Sequence, residues 1–419
     1  MSESAGPPPV HIPSEVPSGP GEGEPTTTAG RYQLRQKAGG VIPPLITALL
    51  AFLMGGVVIA ATGHDPIGAY DGILHGAGIN WFWEHFGNTD VTDLSTFNFT
   101  QTLLRATTLV FTGLAVAFAF RCGLFNIGGQ GQYIIGVVVS IWVGTRWGNA
   151  LPDGVHVVIG IALAAVAGAL WAGIAGILKA TVGAHEVIST IMLNWIAIYF
   201  ARYCFGQGGP LQTTEVGRES NPISDNVFEK THAIIPVFWG DVEFQALDYA
   251  IFLAIAALVV FWIVLNRTTL GYEVRAVGFN PSAAAYGGIN VKKNYFLAMA
   301  ISGMFAGLGG AVDIFGWEYQ IGELDINALT VGYVGIAVAL LGRSTAVGVG
   351  LAALVFGALD YGSIRGLDPE VFDPTLAGNL SYMIQGMIVL FVGADILILY
   401  LWSLRRKRFA SPRMAGSGV

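Results

Sequence analysis

Two segments of this chain carry polar side chains at a spacing that could recognise a solute. The first, Gly123 to Gln132, reads GLFNIGGQGQ. Its amides Asn126, Gln130 and Gln132 offer both donors and acceptors, which suits a neutral hydroxylated molecule. Gly128, Gly129 and Gly131 weaken any helix there, so a plain turn with close helix packing is the alternative reading. The second, Glu186 to Asn194, reads EVISTIMLN and places Glu186, Thr190 and Asn194 four residues apart. That spacing puts all three on one helical face, with apolar Val187, Ile188, Ile191 and Leu193 around much of the rest. The polar stripe should face protein or a water-filled path, although Glu186 at the helix start also suits the helix dipole alone. Covalent chemistry finds no support. The seven histidines are scattered, no H-E-x-x-H pattern occurs, and no nucleophile, acid and base converge, so neither catalytic residues nor a metal site are expected.

A third segment, Gly271 to Ile289, reads GYEVRAVGFNPSAAAYGGI and carries helix punctuation inside a loop. Asn280 is a good N-cap, Pro281 suits the first helical position, Ala283 and Ala284 propagate the turn, and Gly287 and Gly288 can end it. The result is a short surface helix. Because it is nearly uncharged, it suits docking into a partner's groove, with a plain connecting loop as the alternative.

The elements that must hold these segments follow from composition. Hydrophobic residues make up 53% of the chain and charged residues 12%, with a mean hydropathy of +0.60, well past the balance of a soluble globular protein. A helix needs about 20 mostly apolar residues to cross a bilayer, and lipid leaves the backbone no alternative but a closed barrel. Apolar runs lie near 42–62, 101–120, 128–146, 155–178, 187–206, 247–266, 293–314, 327–342, 345–363 and 379–402, the eighth being short enough to be tilted or broken. The expected fold is therefore all-α, a polytopic membrane protein of about ten transmembrane helices. With the N-terminus in the cytoplasm, fifteen of the twenty-one Lys and Arg fall on the cytoplasmic side and six on the other, as basic residues prefer. An even number of crossings then leaves both termini cytoplasmic.

The membrane core spans 41–403. Residues 1–40 form a tail whose first thirty positions hold no Lys or Arg and are rich in Pro, Gly, Ser, Glu and Thr, a composition that stays disordered. It lacks the basic start and short apolar core of a cleavable signal, so the first membrane helix is expected to serve as an uncleaved anchor. Residues 404–419 form a basic tail, where Arg405 to Arg408 suit the anionic inner leaflet of the lipid bilayer as a topology anchor. The net charge of −7 and this single basic run argue against nucleic acid as a partner. The longest connection, 207–246, is expected outside the cell. Cys122 and Cys204 fall on opposite sides and should not pair. Asp313, Asp360 and Asp395 are costly at membrane depth. They would serve a proton-coupled secondary carrier, the alternative function, or ordinary ion pairs.

Together, Phe125 to Gln132, Glu186 to Asn194, Arg275 to Ala285, and the GIAVALLG run of 335–342 resemble the permease subunits of bacterial nucleoside and simple-sugar ABC importers, relatives of the ribose and branched-chain amino acid permeases. The resemblance spans roughly residues 42–402. The family often has Glu where this chain has Gln130. The resemblance implies a plasma-membrane, multi-pass permease that moves a neutral polar solute. It makes Arg275, Gly278, Asn280, Pro281, Ala283 and Ala284 part of a coupling helix on a cytoplasmic ATP-binding subunit. It also implies a second permease subunit and an extracellular solute-binding lipoprotein. No G-x-x-x-x-G-K-[ST] loop occurs, so ATP and Mg belong to the partner ATPase and no cofactor is expected on this chain. A weaker internal echo sets GLAVA of 113–117 with Arg121 against GIAVA of 335–339 with Arg343.

Overall fold

In a computed structural model, residues 42–90, 92–146, 150–213, 222–227, 234–239, 247–367 and 374–393 are described. The expectations for 1–40, for Asp395 and for the basic tail at 404–419 lie outside them, as does part of the 207–246 loop. Helices follow in the order α1 Ile42–Ala61, α2 Pro66–Gly76, α3 Trp81–Glu84, α4 Leu94–Arg121, α5 Gly129–Gly144, α6 Asp153–Val182 and α7 Glu186–Phe205. After a two-strand hairpin come α8 Ala250–Arg267, α9 Thr269–Phe279, α10 Pro281–Tyr286 and α11 Val291–Asp313. A π-turn over Ile314–Glu318 leads to α12 Glu323–Ala328, α13 Val331–Leu341, α14 Ala346–Gly366 and α15 Pro374–Gly393. The hairpin pairs β1 Val237–Trp239 antiparallel with β2 Leu247–Asp248.

Each of the ten apolar runs is largely helical where described, apart from strand residues 247–248 and a break at 329–330. Seven helices are long and apolar enough to cross a membrane, or eight if α1 and α2, bent by 120° at their junction, count as one broken span. At 16 residues, α5 rises about 24 Å, short of a hydrocarbon core of about 30 Å. The chain is thus a polytopic helical membrane protein. The sequence reading missed α2, whose Asp71 and His75 interrupt its apolar pattern. Asp65 caps this helix by accepting from the amides of Ile67 and Gly68, and Pro66 occupies its first turn.

Burial ranks the helices. In the most apolar window of α4, 89% of residues are buried, against 28% in α7 and in α8. Accordingly, α4 is an axis of the bundle, while α7 and α8 present Trp195, Tyr199, Phe252 and Val259 outward. Small residues let the inner helices approach. A Cβ on Gly168 or Gly303 would run into the other's backbone carbonyl, and one on Gly307 into that of Ala164, which is how α6 and α11 pack at close range. The echoed segments meet directly: Gly113 packs on Val338, and Gly335 packs on Thr112.

At one end of the bundle, the turn after α4, the α9–α10 connector and the α13–α14 turn come together. A Cβ on Gly278 would strike the Arg121 carbonyl, and the Arg121 guanidinium donates to the Ser344 carbonyl at 2.7 Å. At the opposite end, residues 222–227 and 234–236 hydrogen-bond to 315–322, with Val227 N to Tyr319 O at 2.9 Å and Ile235 N to Phe315 O at 2.6 Å.

Candidate functional site

The amide segments fold into a hydrogen-bonded girdle. Between α4 and α5 the backbone is irregular, and such backbone is tolerated among membrane helices only when protein satisfies it. Asn126 supplies that satisfaction. Its Nδ2 donates to Gln132 Oε1 at 2.9 Å and to Ser302 Oγ at 2.7 Å, and its Oδ1 accepts from Gly128 N at 2.9 Å. Asn194 reaches across from α7, accepting from Gly131 N at 2.8 Å and donating to the Ile127 carbonyl at 3.0 Å. Gln130 bridges to the break between α12 and α13, donating to Leu329 O at 3.0 Å and accepting from Gly332 N at 2.8 Å. Thr190 donates to the Glu186 carbonyl one turn back, at 2.8 Å, and Glu186 pairs with Lys179 of α6 at 2.8 Å. The stripe on α7 does face protein: Thr190 and Asn194 are fully buried.

A cavity of about 220 Å³ opens elsewhere, toward the end where residues 222–227 pack. Its wall holds Arg105, Thr108, Tyr133, Asp313, Trp317, Glu318, Asp360, Tyr382 and Gln385, with the α12–α13 break at Leu329 and Thr330. The volume lies just under the roughly 300–1,000 Å³ of common small-molecule sites, which limits an occupant to a small solute. None of Asn126, Gln130, Gln132, Glu186, Thr190 or Asn194 lines it. Gln130 comes nearest, holding the backbone of Leu329 from behind the wall.

Two of the acidic groups at membrane depth are matched here by partners. Arg105 pairs with Asp360 at 2.9 Å, and its guanidinium carbon stands 5.3 Å from the Tyr361 ring and 5.9 Å from that of Trp317. Asp313 accepts from Thr108, from Tyr133 Oη at 2.5 Å and from Trp317 Nε1 at 3.0 Å. Asp360 thus takes the ion-paired role expected of it, whereas Asp313 is held by neutral hydrogen-bond donors instead. The π-turn matters because its wider turn swings the following side chains round the axis, and Trp317 and Glu318 belong to the wall. Tyr319, the next residue, has φ 53°, a left-handed conformation unusual for a side chain of its size.

Asp248 lies beyond the helices at the same end, fully buried, with Oδ1 accepting from Ala250 N at 2.8 Å and Oδ2 against Gly316. Burial pushes its carboxyl up to about 7, with the Ala250 amide opposing and Asp313 adding to the shift.

Sequence reasoning singled out the girdle and passed over Arg105, Thr108, Tyr133, Trp317 and Glu318 as a group. One signal was present: Arg105, Asp313 and Asp360 are charges of both signs within apolar helices, and such charges tend to face one another.

At the other end, α10 is the short helix expected from its punctuation. Asn280 Oδ1 accepts from Ala283 N at 3.0 Å and Pro281 opens the helix. Arg275 Nε returns to the Gly271 carbonyl at 3.2 Å. Ala284, however, is buried against the chain itself, because it sits on the inner side of a six-residue helix. The outward surface takes in Pro281, Ser282, Ala283, Ala285 and Tyr286, with Phe279 and Tyr272 nearby; Tyr286 is 97% exposed.

A bundle of membrane-length helices around a small cavity that charged and aromatic side chains line, with a capped aromatic connector at one end, has the build of a membrane permease. The chain belongs to the family described as branched-chain amino acid transport system / permease component, whose pattern matches residues 98–393. Among its relatives, the guanosine ABC transporter permease protein NupP of Bacillus subtilis is 35% identical over 378 residues, 88% of this chain and 98% of the relative. The glucose ABC transporter permease protein TsgB13 of Haloferax volcanii is 33% identical, covering 83% of this chain and 86% of the relative. A second Bacillus subtilis relative, the guanosine ABC transporter permease protein NupQ, is 30% identical, covering 66% and 85% respectively. No solved structure matches the chain. It is a multi-pass plasma-membrane permease subunit of an ABC transporter, in which ATP is hydrolysed on a separate subunit, and this sets aside the proton-coupled carrier.

Proposed function

We propose that this subunit imports a neutral nucleoside or simple sugar, and that the solute passes through the cavity at Arg105, Asp313 and Glu318. The observation that carries the reading is the cavity itself, small, mostly apolar with a few polar groups and walled by an indole, in a chain whose relatives are named for guanosine and glucose. In the same reading, a cytoplasmic ATPase that binds ATP and Mg docks on α10, and an extracellular solute-binding lipoprotein delivers the solute. The second permease subunit is a paralogue, as the NupP and NupQ pair of one organism suggests. Ten crossings with both termini cytoplasmic complete the topology. The amide girdle borders the pathway by holding the broken backbone that shifts as the helices open inward.

The test is uptake of radiolabelled guanosine and glucose into cells lacking the gene, with and without complementation. Uptake restored by the gene, abolished by ATP depletion and resistant to an uncoupler supports the reading. Restored uptake that collapses only with the uncoupler would sink it.

A further inference from the structure

The carboxylates and the guanidinium on the cavity wall are not equally occupied. Asp360 is taken by Arg105, and Asp313 accepts from three donors. Glu318 differs: its Oε2 is shielded from solvent and has no hydrogen-bond partner among the described residues. Arg105 contributes a second idle atom to the same wall, since its Nε is also shielded and unpartnered. Both groups line the same cavity. Shielded polar atoms without partners are rare in folded proteins, and each one calls for an explanation.

An idle acceptor beside an idle donor defines what they can read. A phosphate or carboxylate supplies only acceptors, and an ammonium supplies only donors. A hydroxyl supplies both at one oxygen, and neighbouring hydroxyls on a sugar ring can donate to one group while accepting from the other. Rotation about the last torsion of Glu318 is soft, so its carboxylate can turn toward a solute. Trp317, pinned at its indole nitrogen by Asp313, offers a fixed apolar face beside the pair.

We infer that Glu318 and Arg105 Nε form a hydroxyl-reading pair, in which Glu318 accepts from one ring hydroxyl of the solute and Arg105 donates to its neighbour. This rests on the function proposed above. Glu318 is thereby a specificity-determining residue: it favours ring-hydroxylated neutral solutes over their deoxy analogues and over their phosphate esters.

The experiment uses the full transporter, assembled with its partner subunits in proteoliposomes, and compares wild type with Glu318→Met and Glu318→Gln. Each is given two probe pairs, guanosine with 2′,3′-dideoxyguanosine and glucose with 2-deoxyglucose. Variant-to-wild-type ratios of uptake efficiency are taken solute by solute, so that the binding protein's own preference cancels. For the hydroxylated member of the transported pair, Glu318→Met should lower efficiency about tenfold, the scale of a lost buried hydrogen bond. Glu318→Gln should lower it less, and the deoxy partner should be carried by both variants at the wild-type rate, which also shows that they fold. An equal loss on both members of a pair would make Glu318 a structural residue and overturn the inference. No loss on either member would overturn it while leaving the proposed function standing. Wild-type complex that carries none of the four probes would overturn both.

Discussion

The girdle at Asn126 and Asn194 and the cavity at Arg105 and Glu318 are both polar regions inside an apolar bundle, yet their atoms are used differently. In the girdle, each of the four amides bonds to backbone or to another side chain, and Asn194 alone holds two backbone groups of the irregular stretch after α4. On the cavity wall, pairing is incomplete, a π-turn follows the end of α11, and Tyr319 takes a left-handed backbone conformation. Polar residues at membrane depth can thus hold broken backbone in place or leave groups open to a solute. What distinguishes the two uses is whether the hydrogen bonds are already made.

The comparison breaks most sharply at Asn194. Replacing it with Leu strands Gly131 N and Ile127 O, each costing about 1–3 kcal/mol, so detergent-solubilised protein should unfold at a clearly lower temperature and accumulate poorly. Uptake per assembled complex should hardly change. A normal melting temperature combined with lost uptake would move Asn194 from scaffold to solute path.

The cavity should respond the other way. Arg105→Leu removes the partner of Asp360 and the donor beside Glu318, and uptake per assembled complex is expected to fall about tenfold or more, the effect of losing a charged hydrogen bond. The melting temperature should move less than in Asn194→Leu, because Arg105 and Asp360 are each 31% exposed and water can take up the stranded carboxylate. A drop in stability with unchanged uptake would make the pair purely structural.

A third contrast lies within α10. Ala283→Asp and Tyr286→Ala alter the outward surface, and solute-stimulated ATP hydrolysis of the assembled complex should fall severalfold with abundance intact. Ala284→Asp instead forces a carboxylate into a buried position and should lower abundance itself. Normal coupled ATPase in both surface variants would remove α10 from the ATPase contact.

The smallest effect concerns Asp248. Its folded-state carboxyl stays protonated up to about pH 7, whereas an exposed Asp ionises near pH 4. The folded state then holds the extra proton, so its stability falls as pH rises from about 4 to 7 and levels off above. Thermal unfolding across that range should show this slope, and Asp248→Asn should flatten it. An unchanged slope would assign it to another group.

Several elements were legible because they are local. The apolar runs follow from the cost of an unsatisfied backbone in lipid. The α10 cap follows from Asn280 and Pro281, and the polar stripe of α7 follows from its four-residue spacing. Less legible were features that depend on the path of the chain. Nothing local indicated that α2 would fold back against α14, where a Cβ on Gly72 would strike the backbone of Gly366. Likewise, Ala283 and Ala284 are identical neighbours in sequence, and only packing leaves one outward and the other buried.

By itself, then, the sequence determined the solvent of the chain, its helical class, its short docking-type helix and the residues polar enough to matter, because composition and periodicity act within one helix. Tertiary structure decided which of those polar residues face the cavity. Arg105 and Asp360 are 255 positions apart, and Thr108 and Asp313 are 205 apart. Such pairs exist only once the helices have packed, when each buried group must find its partner from whichever segment lies beside it.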